Sequence, residues 1–391
     1  MMHIAPFDLE RLQSVFEHNV EINLAESGVL PLSVGELLGS NTIESLFDEP
    51  LAYTQTNGTP LLRAAITALY PGSTEHNVIV TNGGAEANFI SCWHLVEPGD
   101  EVVVMHPNYL QIHQLCEGFG AVVRPWHLQK HSVGNHARWG PDLDTLQTLV
   151  TARTRMIAIC NPNNPTGARL TASEVADICA IADKHGAWVL ADEIYRGVEH
   201  DSGGSTTAWG RAERVIVTAG LSKAYGLPGL RIGWTVTDCD VAKALWSRRD
   251  YTTIAPSALS DRLARVALHP ERSAALLARA RGIIVANNAI VSAWVDAHAA
   301  LTLIPAEAGA VAFIGYKNDV GSATLANWLR DKASVLVAPG AHFGVDGYLR
   351  IGLGGRSELL HTGLERISRV IANLQSGNNT DLNAVQRDLD D

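Results

Sequence analysis

Residues 218–234 read TAGLSKAYGLPGLRIGW, and Ser222, Lys223 and Arg231 stand out there among glycines, small residues and apolar side chains. An amine in that setting is either a plain loop lysine or a nucleophile activated by its surroundings. Three more stretches end in groups able to do chemistry. Asn82-Gly83-Gly84-Ala85-Glu86-Ala87-Asn88 opens a helix after NVIVT. N–H groups at a helix start preceded by glycine bind anions, because no Cβ blocks approach and the dipole favours negative charge. The same residues also suit an ordinary strand-to-helix turn. NPNNPTG (161–167) follows RMIAIC, its prolines fixing a turn while Asn161 and Asn164 offer amides. Asp192, Glu193 and Tyr195 follow AWVLA. A carboxylate at the end of a buried strand must be hydrogen-bonded or paired, for catalysis or in a structural ion pair.

Each of these groups stands just after a run that reads as a strand. NVIVT (77–81), EVVVM (101–105), AVVRPW (121–126), RMIAIC (155–160), AWVLAD (187–192) and RVIVTA (214–219) are apolar and β-branched enough for burial on both faces. Helical patterns separate them; the clearest starts at Thr171, which forms a capping box with Glu174, and stops at Gly186. That alternation predicts an α/β fold around a mostly parallel sheet. Such sheets bind ligands in the crevice at the carboxyl ends of their strands. One crevice therefore collects an anion-binding turn, an amide, an acid, a phenol, a lysine and an arginine. An aldehyde cofactor carrying a phosphate and a basic ring nitrogen would use them all: lysine for the Schiff base, the helix start for phosphate, the acid to keep the ring nitrogen protonated.

From about residue 240 the pattern turns helical, followed by short strands at AVAFIGY, SVLVAP and YLRIGL and a closing helix over 357–374. The expected division is a large α/β domain over 36–275, a smaller α+β domain built from 1–35 and 276–376, and a flexible tail over 377–391. The start, MMHIAPFDLERLQSVF, reads as a short amphipathic helix with Phe7, Leu12, Val15 and Phe16 on one side, not as a signal peptide. A net charge of −11 over 391 residues argues against nucleic acid or an anionic membrane as partner. No uninterrupted apolar run approaches about 20 residues, so no membrane span is expected. Five scattered cysteines without C-x-x-C spacing suggest buried thiols in a reducing, cytoplasmic compartment. The 15 histidines show no metal-ligand spacing, so no metal is expected, and His106 in MHPNY reads as packing or a pocket edge.

NPNNPTG, ADEIY and SKAYGLPGLRIGW, in that order, resemble the fold-type I pyridoxal-phosphate enzymes, specifically the class I/II aminotransferases, over about residues 20–370. The resemblance implies pyridoxal 5′-phosphate bound to Lys223. It further implies that Gly83, Gly84 and Ala85 form the phosphate turn, with Ser222 and Arg231 as flanking phosphate ligands. Tyr109 in HPNYL is similar to the residue that stacks on the ring, Asp192 to the partner of the ring nitrogen, and Asn164 and Tyr195 to the partners of the phenolic oxygen. Arg350 in GYLRIGL resembles the arginine that grips the substrate α-carboxylate. Tyr53 resembles a tyrosine that reaches the neighbouring subunit's phosphate, which implies a homodimer with shared active sites.

Two departures stand out. Relatives often read Ser-x-Ser-Lys where this chain has Gly220-Leu221-Ser222-Lys223, so one phosphate hydroxyl is missing. A Gly-Glu-Pro-Asp-like run is replaced by Leu24-Ala25-Glu26-Ser27-Gly28-Val29. That run, with VVRPW and RRDYTTIAPS, resembles the capreomycidine synthase branch, whose members cyclise a hydroxylated arginine. Glu26 and Gly28 are therefore candidate substrate contacts: Glu26, with RRDYTT nearby, would read a guanidinium or ammonium end, or would simply pair with an arginine or face solvent. Three activities follow as alternatives: amino transfer from an α-amino acid to a 2-oxo acid; elimination, cyclisation or oxidation on the same cofactor; and the effector-binding module of a regulator. The last normally follows a basic DNA-binding domain, for which this acidic chain has no counterpart.

Overall fold

The computed structural model describes residues 3–39, 46–134 and 136–375. The expected tail over 377–391 lies outside the described residues. In chain order the strands are β1 Ile22–Asn23, β2 Val78–Thr81, β3 Glu101–His106, β4 Val122–His127, β5 Gln129–Val133, β6 His136–Gly140, β7 Thr154–Cys160, β8 Trp188–Asp192, β9 Val215–Gly220, β10 Gly233–Thr237, β11 Leu301–Leu303, β12 Val311–Tyr316, β13 Val335–Leu336, β14 Ala338–Pro339 and β15 Tyr348–Gly352. Four helices matter below: α1 Asp8–Phe16, α2 Gly84–Leu95, α3 Ala172–His185 and α4 Pro270–Asp296. This is the α/β architecture expected, a large mostly parallel sheet with a smaller α+β part.

The large sheet has seven strands in the order β2-β10-β9-β8-β7-β3-β4. β4, β3, β7, β8 and β9 run parallel, and β10 is antiparallel to both β9 and β2. β10 is hidden in the sequence because its residues run on directly from the lysine motif. Its link from β9, residues 221–232, holds one short 3-10 turn and no α-helix, and it returns the chain antiparallel to β9. β2, β3, β7, β8 and β9 therefore all end at one edge, where β10 begins. β4 corrects the expectation of burial on both faces: Val122, Arg124 and Pro125 are at least partly exposed because the strand closes the sheet.

α3 forms as its capping box dictates: Thr171 Oγ accepts from Glu174 N–H, and Gly186 ends the helix with φ +65°. α4 is, by length and composition, apolar enough to cross a membrane. Here Leu276, Ala280, Ile284, Val291 and Val295 recur at helical spacing and are buried against the core. The second sheet is antiparallel, in the order β11-β12-β15-β14. β1 pairs in parallel with β13, Ile22 opposite Val335 and Asn23 opposite Leu336, tying the N-terminal segment to this region.

α1 is a helix as expected, but with a different inner face. Leu9 and Leu12 are buried, Phe7 and Phe16 pack at the margin, and Val15 is exposed. The remaining face turns toward the edge where the strand ends meet.

Candidate active site

Gly83 starts α2 with φ +85°, a conformation that favours glycine. A Cβ there would also stand 2.4 Å from Arg231 Nη2. Arg231 sits just before β10, so the antiparallel strand carries it to the turn: Nη2 donates to Asn82 O at 3.4 Å and Nη1 to Ser222 Oγ at 3.4 Å. The backbone of Gly83 and Gly84 lies directly on Gly233, where a Cβ would come within 2.4 Å of Gly83 C. Two glycines thus let a helix N-terminus, a hydroxyl and a guanidinium share one spot, a cradle for a phosphate. The missing hydroxyl at 220 has a steric reason: a Cβ there would lie 2.8 Å from Ile232 O.

The cavity beside this cradle has a volume of about 350 Å3, and Gly84, Ala85, Ser222, Lys223 and Arg231 line it. Lys223 Nζ bonds Glu26 Oε1 at 2.8 Å, and Gly28 N–H donates to the same oxygen at 2.6 Å. Burial works against the Glu26 charge, but Lys223 and the Gly28 N–H prevail and bring the carboxyl down to about 2. Burial likewise opposes the Lys223 charge, yet Glu26 and Tyr195 raise the amine above its ordinary value.

Asp192 closes β8 and lies on the cavity wall. Burial raises its carboxyl, opposed by Asn88 Nδ2 at 2.9 Å and Ile194 N–H at 3.1 Å. Asn88 is itself fixed by the Thr218 hydroxyl, which donates to its Oδ1 at 2.7 Å. Asn88 is a site residue that the sequence did not single out; its only signal is a polar side chain on the buried face of α2, one turn after the glycines.

Arg350, on β15 opposite Phe313 and Ala338, is buried and reaches the cavity from the second sheet. Its Nη1 donates to Asn164 Oδ1 at 3.0 Å, its Nη2 to the Ala25 carbonyl, and its Nε has no partner. Burial lowers its affinity for its proton, with Tyr195 and Glu26 opposing. The Tyr195 hydroxyl is buried against the same cavity without a well-formed hydrogen bond. Burial raises it, while the charges of Lys223 and Arg350 pull it back. The unpartnered Arg350 Nε on the cavity wall fits a ligand that brings oxygen atoms.

Tyr109 lines the cavity with its hydroxyl committed to Glu10 Oε1 at 2.7 Å. Burial and Glu10 hold that phenol well above its ordinary range. Glu10, Gln13, Ser14 and Glu17 also line the cavity, and none of these four was anticipated.

Two contacts expected in this cavity, Gly28 and RRDYTT, lie elsewhere, and Tyr53 is expected at the neighbouring subunit's phosphate rather than here. Gly28 faces a neighbouring cleft and acts here through its N–H to Glu26. Tyr53 is 84% exposed and outside the cavity. RRDYTT does not reach the cavity: the Thr253 hydroxyl donates to Glu86 Oε1 at 2.8 Å and Arg249 pairs with the same carboxylate, bracing the first turn of α2. His106 bonds His113 at 3.0 Å, and burial followed by its histidine neighbours lowers it to about 3. Among the described residues no cluster has the make-up of a metal site.

Residues 27–367 match the family "Aminotransferase class I and II". A capreomycidine synthase of Streptomyces vinaceus is 32% identical over 88% of this chain and 88% of its own. A PLP-dependent aminotransferase from Streptococcus suis superposes with a TM-score of 0.88 at 30% identity, covering 95% of this chain and 99% of that one. A PLP-dependent cyclase, OrfR, superposes with a TM-score of 0.83 at 25% identity, covering 96% and 98%.

Proposed function

Because the chain belongs to the aminotransferase class I and II family, we propose that its cavity holds pyridoxal 5′-phosphate and moves the amino group of an α-amino acid to a 2-oxo acid. The observation that carries this reading is Lys223 Nζ on the same cavity wall as Asp192, Tyr195 and Arg350. The cofactor would supply an aldehyde and an electron-withdrawing ring. Gly84 and Ala85 N–H, Ser222 and Arg231 would bind its phosphate. Asp192, held by Asn88, would keep a proton on the ring nitrogen, and Tyr109 would stack on the ring. Asn164 and Tyr195 would hold the phenolic oxygen. Arg350, whose Nε is unpartnered, would take the α-carboxylate in a bidentate pair. Lys223 Nζ would carry the proton to and from the substrate Cα.

A second reading keeps the cofactor and replaces transfer by elimination or cyclisation of an arginine-derived amino acid. Its support is the 32% identity to a capreomycidine synthase and the place of Glu26 on the cavity wall. The two are separated by assaying purified enzyme with amino acids in the presence and absence of 2-oxoglutarate or pyruvate. Strict dependence on the acceptor supports transfer; turnover of an arginine derivative without it supports the second reading.

We further propose a cytoplasmic homodimer. Phe47, Leu51, Tyr53, Tyr251 and Ile254 are exposed, and Thr54 bonds the Pro256 carbonyl at 3.3 Å, joining the two segments that carry them. Apolar groups so displayed suit a subunit interface, with Tyr53 serving the partner's phosphate site. Mixing a Tyr53 variant with a Lys223 variant should restore activity through hybrid dimers. A monomer in sedimentation would contradict this.

A further inference from the structure

Tyr109 is held at its base and at its tip by different parts of the chain. At the base, Tyr109 N–H donates to Asn108 Oδ1 at 2.8 Å, Asn108 N–H to the Phe343 carbonyl at 3.3 Å, and Asn163 Nδ2 to the Pro107 carbonyl at 3.1 Å. These bonds fix the backbone and leave the ring free to turn about its side-chain torsions. At the tip the phenol donates to Glu10 Oε1 at 2.7 Å, a carboxylate 99 residues away in the chain. Phe7 lies beside the ring, its centroid 4.8 Å away and its plane inclined by 56°. A phenyl ring offers the same face for stacking, so what the hydroxyl adds is this tether. Burial, and then the charge of Glu10, hold the phenol well above its ordinary range, so it remains a donor near neutrality.

The support behind Glu10 is itself fixed. In α1, Leu9 and Leu12 are buried, and the Arg330 guanidinium lies 4.0 Å from the Phe16 ring centroid. Ahead of α1, Ile4 rests on Gly118 at the end of the helix Gln111–Gly118, where a Cβ would come within 2.5 Å of Ile4 Cγ1. Gln13, three positions after Glu10 and so on the same side of the helix, donates through Nε2 to the Ala25 carbonyl at 2.9 Å. That carbonyl also accepts from Arg350. One helix therefore braces the Tyr109 ring with one side chain and the acceptor of Arg350 with the next turn's.

We propose that Glu10 is a positioning residue for the cofactor site: its hydrogen bond to the Tyr109 hydroxyl sets the plane of the ring that stacks on the cofactor. This rests on the reading of Tyr109 as the stacking residue. An O–H bonded to a carboxylate is short and strong, so it holds the ring in one orientation. A stacking contact depends on that orientation, since offset and edge arrangements of the same two rings differ in energy. The bond also leaves electron density on the phenol, which favours its face toward an electron-withdrawing ring.

The test is a double-variant cycle read by the dissociation constant of pyridoxal 5′-phosphate and by the visible circular dichroism of the bound cofactor. Glu10→Ala should weaken cofactor binding by about 10-fold and alter the dichroic band. Glu10→Gln, which keeps an acceptor oxygen, should recover most of both. Tyr109→Phe, which keeps the ring and removes the tether, should match Glu10→Ala. The combined variant should be no worse than either alone, because both remove one interaction. If Glu10→Ala leaves affinity and dichroism unchanged, or costs as much in the Tyr109→Phe background as in the unmodified protein, Glu10 does not act through Tyr109 and the proposal is overturned. Tyr109→Ala separates this from the reading beneath it. A cofactor bound with unchanged affinity and dichroism in that variant would remove Tyr109 from the cofactor, and the proposal would fall with the stacking role.

Discussion

Asp192 and Glu26 are both carboxylates on one cavity wall system, and the fold treats them in opposite ways. Asp192 ends a central strand, where burial raises its carboxyl and Asn88 and the Ile194 N–H answer with hydrogen bonds. Glu26 lies in a loop, where Lys223 and the Gly28 N–H overcome burial and take its carboxyl down to about 2. The first is placed by sheet register and supported from behind by a fixed amide; the second is placed by its partner. A floor of strand ends and a roof of α1 and the loop over 24–30 thus divide the labour. The floor is suited to chemistry that tolerates no displacement, while the roof residues close the cavity over it.

Substitutions should separate the two. Lys223→Ala, on the floor, should lower turnover by about 10³–10⁴-fold, since it removes both the attachment point and the proton carrier; steady-state rates measure it, and full activity would remove the lysine from the chemistry. Asp192→Asn should retain bound cofactor yet lose about 10²-fold or more in kcat, because a neutral amide cannot stabilise a protonated ring nitrogen. Near-normal kcat with cofactor bound would make Asp192 a structural residue.

The floor was legible in the sequence because each of its residues follows a recognisable strand within a few positions, so local pattern and parallel topology together bring them to one edge. Arg231 is the exception in kind: its arrival at Gly83 depends on β10 running backwards, which the unbroken run RIGWTVT conceals. Of the roof, Glu26 was legible as a candidate contact, but the α1 residues were not. Glu10, Gln13, Ser14 and Glu17 have the spacing of any solvent-facing helix stripe, and nothing local distinguishes a stripe facing water from one facing a cavity. Likewise the partner of Glu26 is 197 residues away in the chain. RRDYTT was assigned to the substrate, whereas its threonines serve Glu86 under α2, a contact made by packing rather than pattern.

Two smaller effects sharpen the contrast. Gly220→Ser restores the family hydroxyl but forces a Cβ to within 2.8 Å of Ile232 O, so thermal unfolding should show a loss of about 1–3 kcal/mol. Unchanged stability would mean the floor can yield there. Glu26→Gln should act on Lys223: Glu26 helps hold the amine above its ordinary value, and only the deprotonated amine is a nucleophile. Capture of pyridoxal 5′-phosphate by the cofactor-free protein should therefore rise with pH, and the variant's profile should move to lower pH, giving faster capture near neutrality. An unmoved profile would show that the ion pair does not govern the amine.

The most direct measurement is to reduce the cofactor-loaded protein with borohydride, digest it and locate the pyridoxyl phosphate label by mass spectrometry. The label is expected on Lys223, within the peptide spanning Gly220–Arg231, and on no other lysine. A label elsewhere, or none from a protein proven to hold the cofactor, would contradict the assignment of this cavity as the active site.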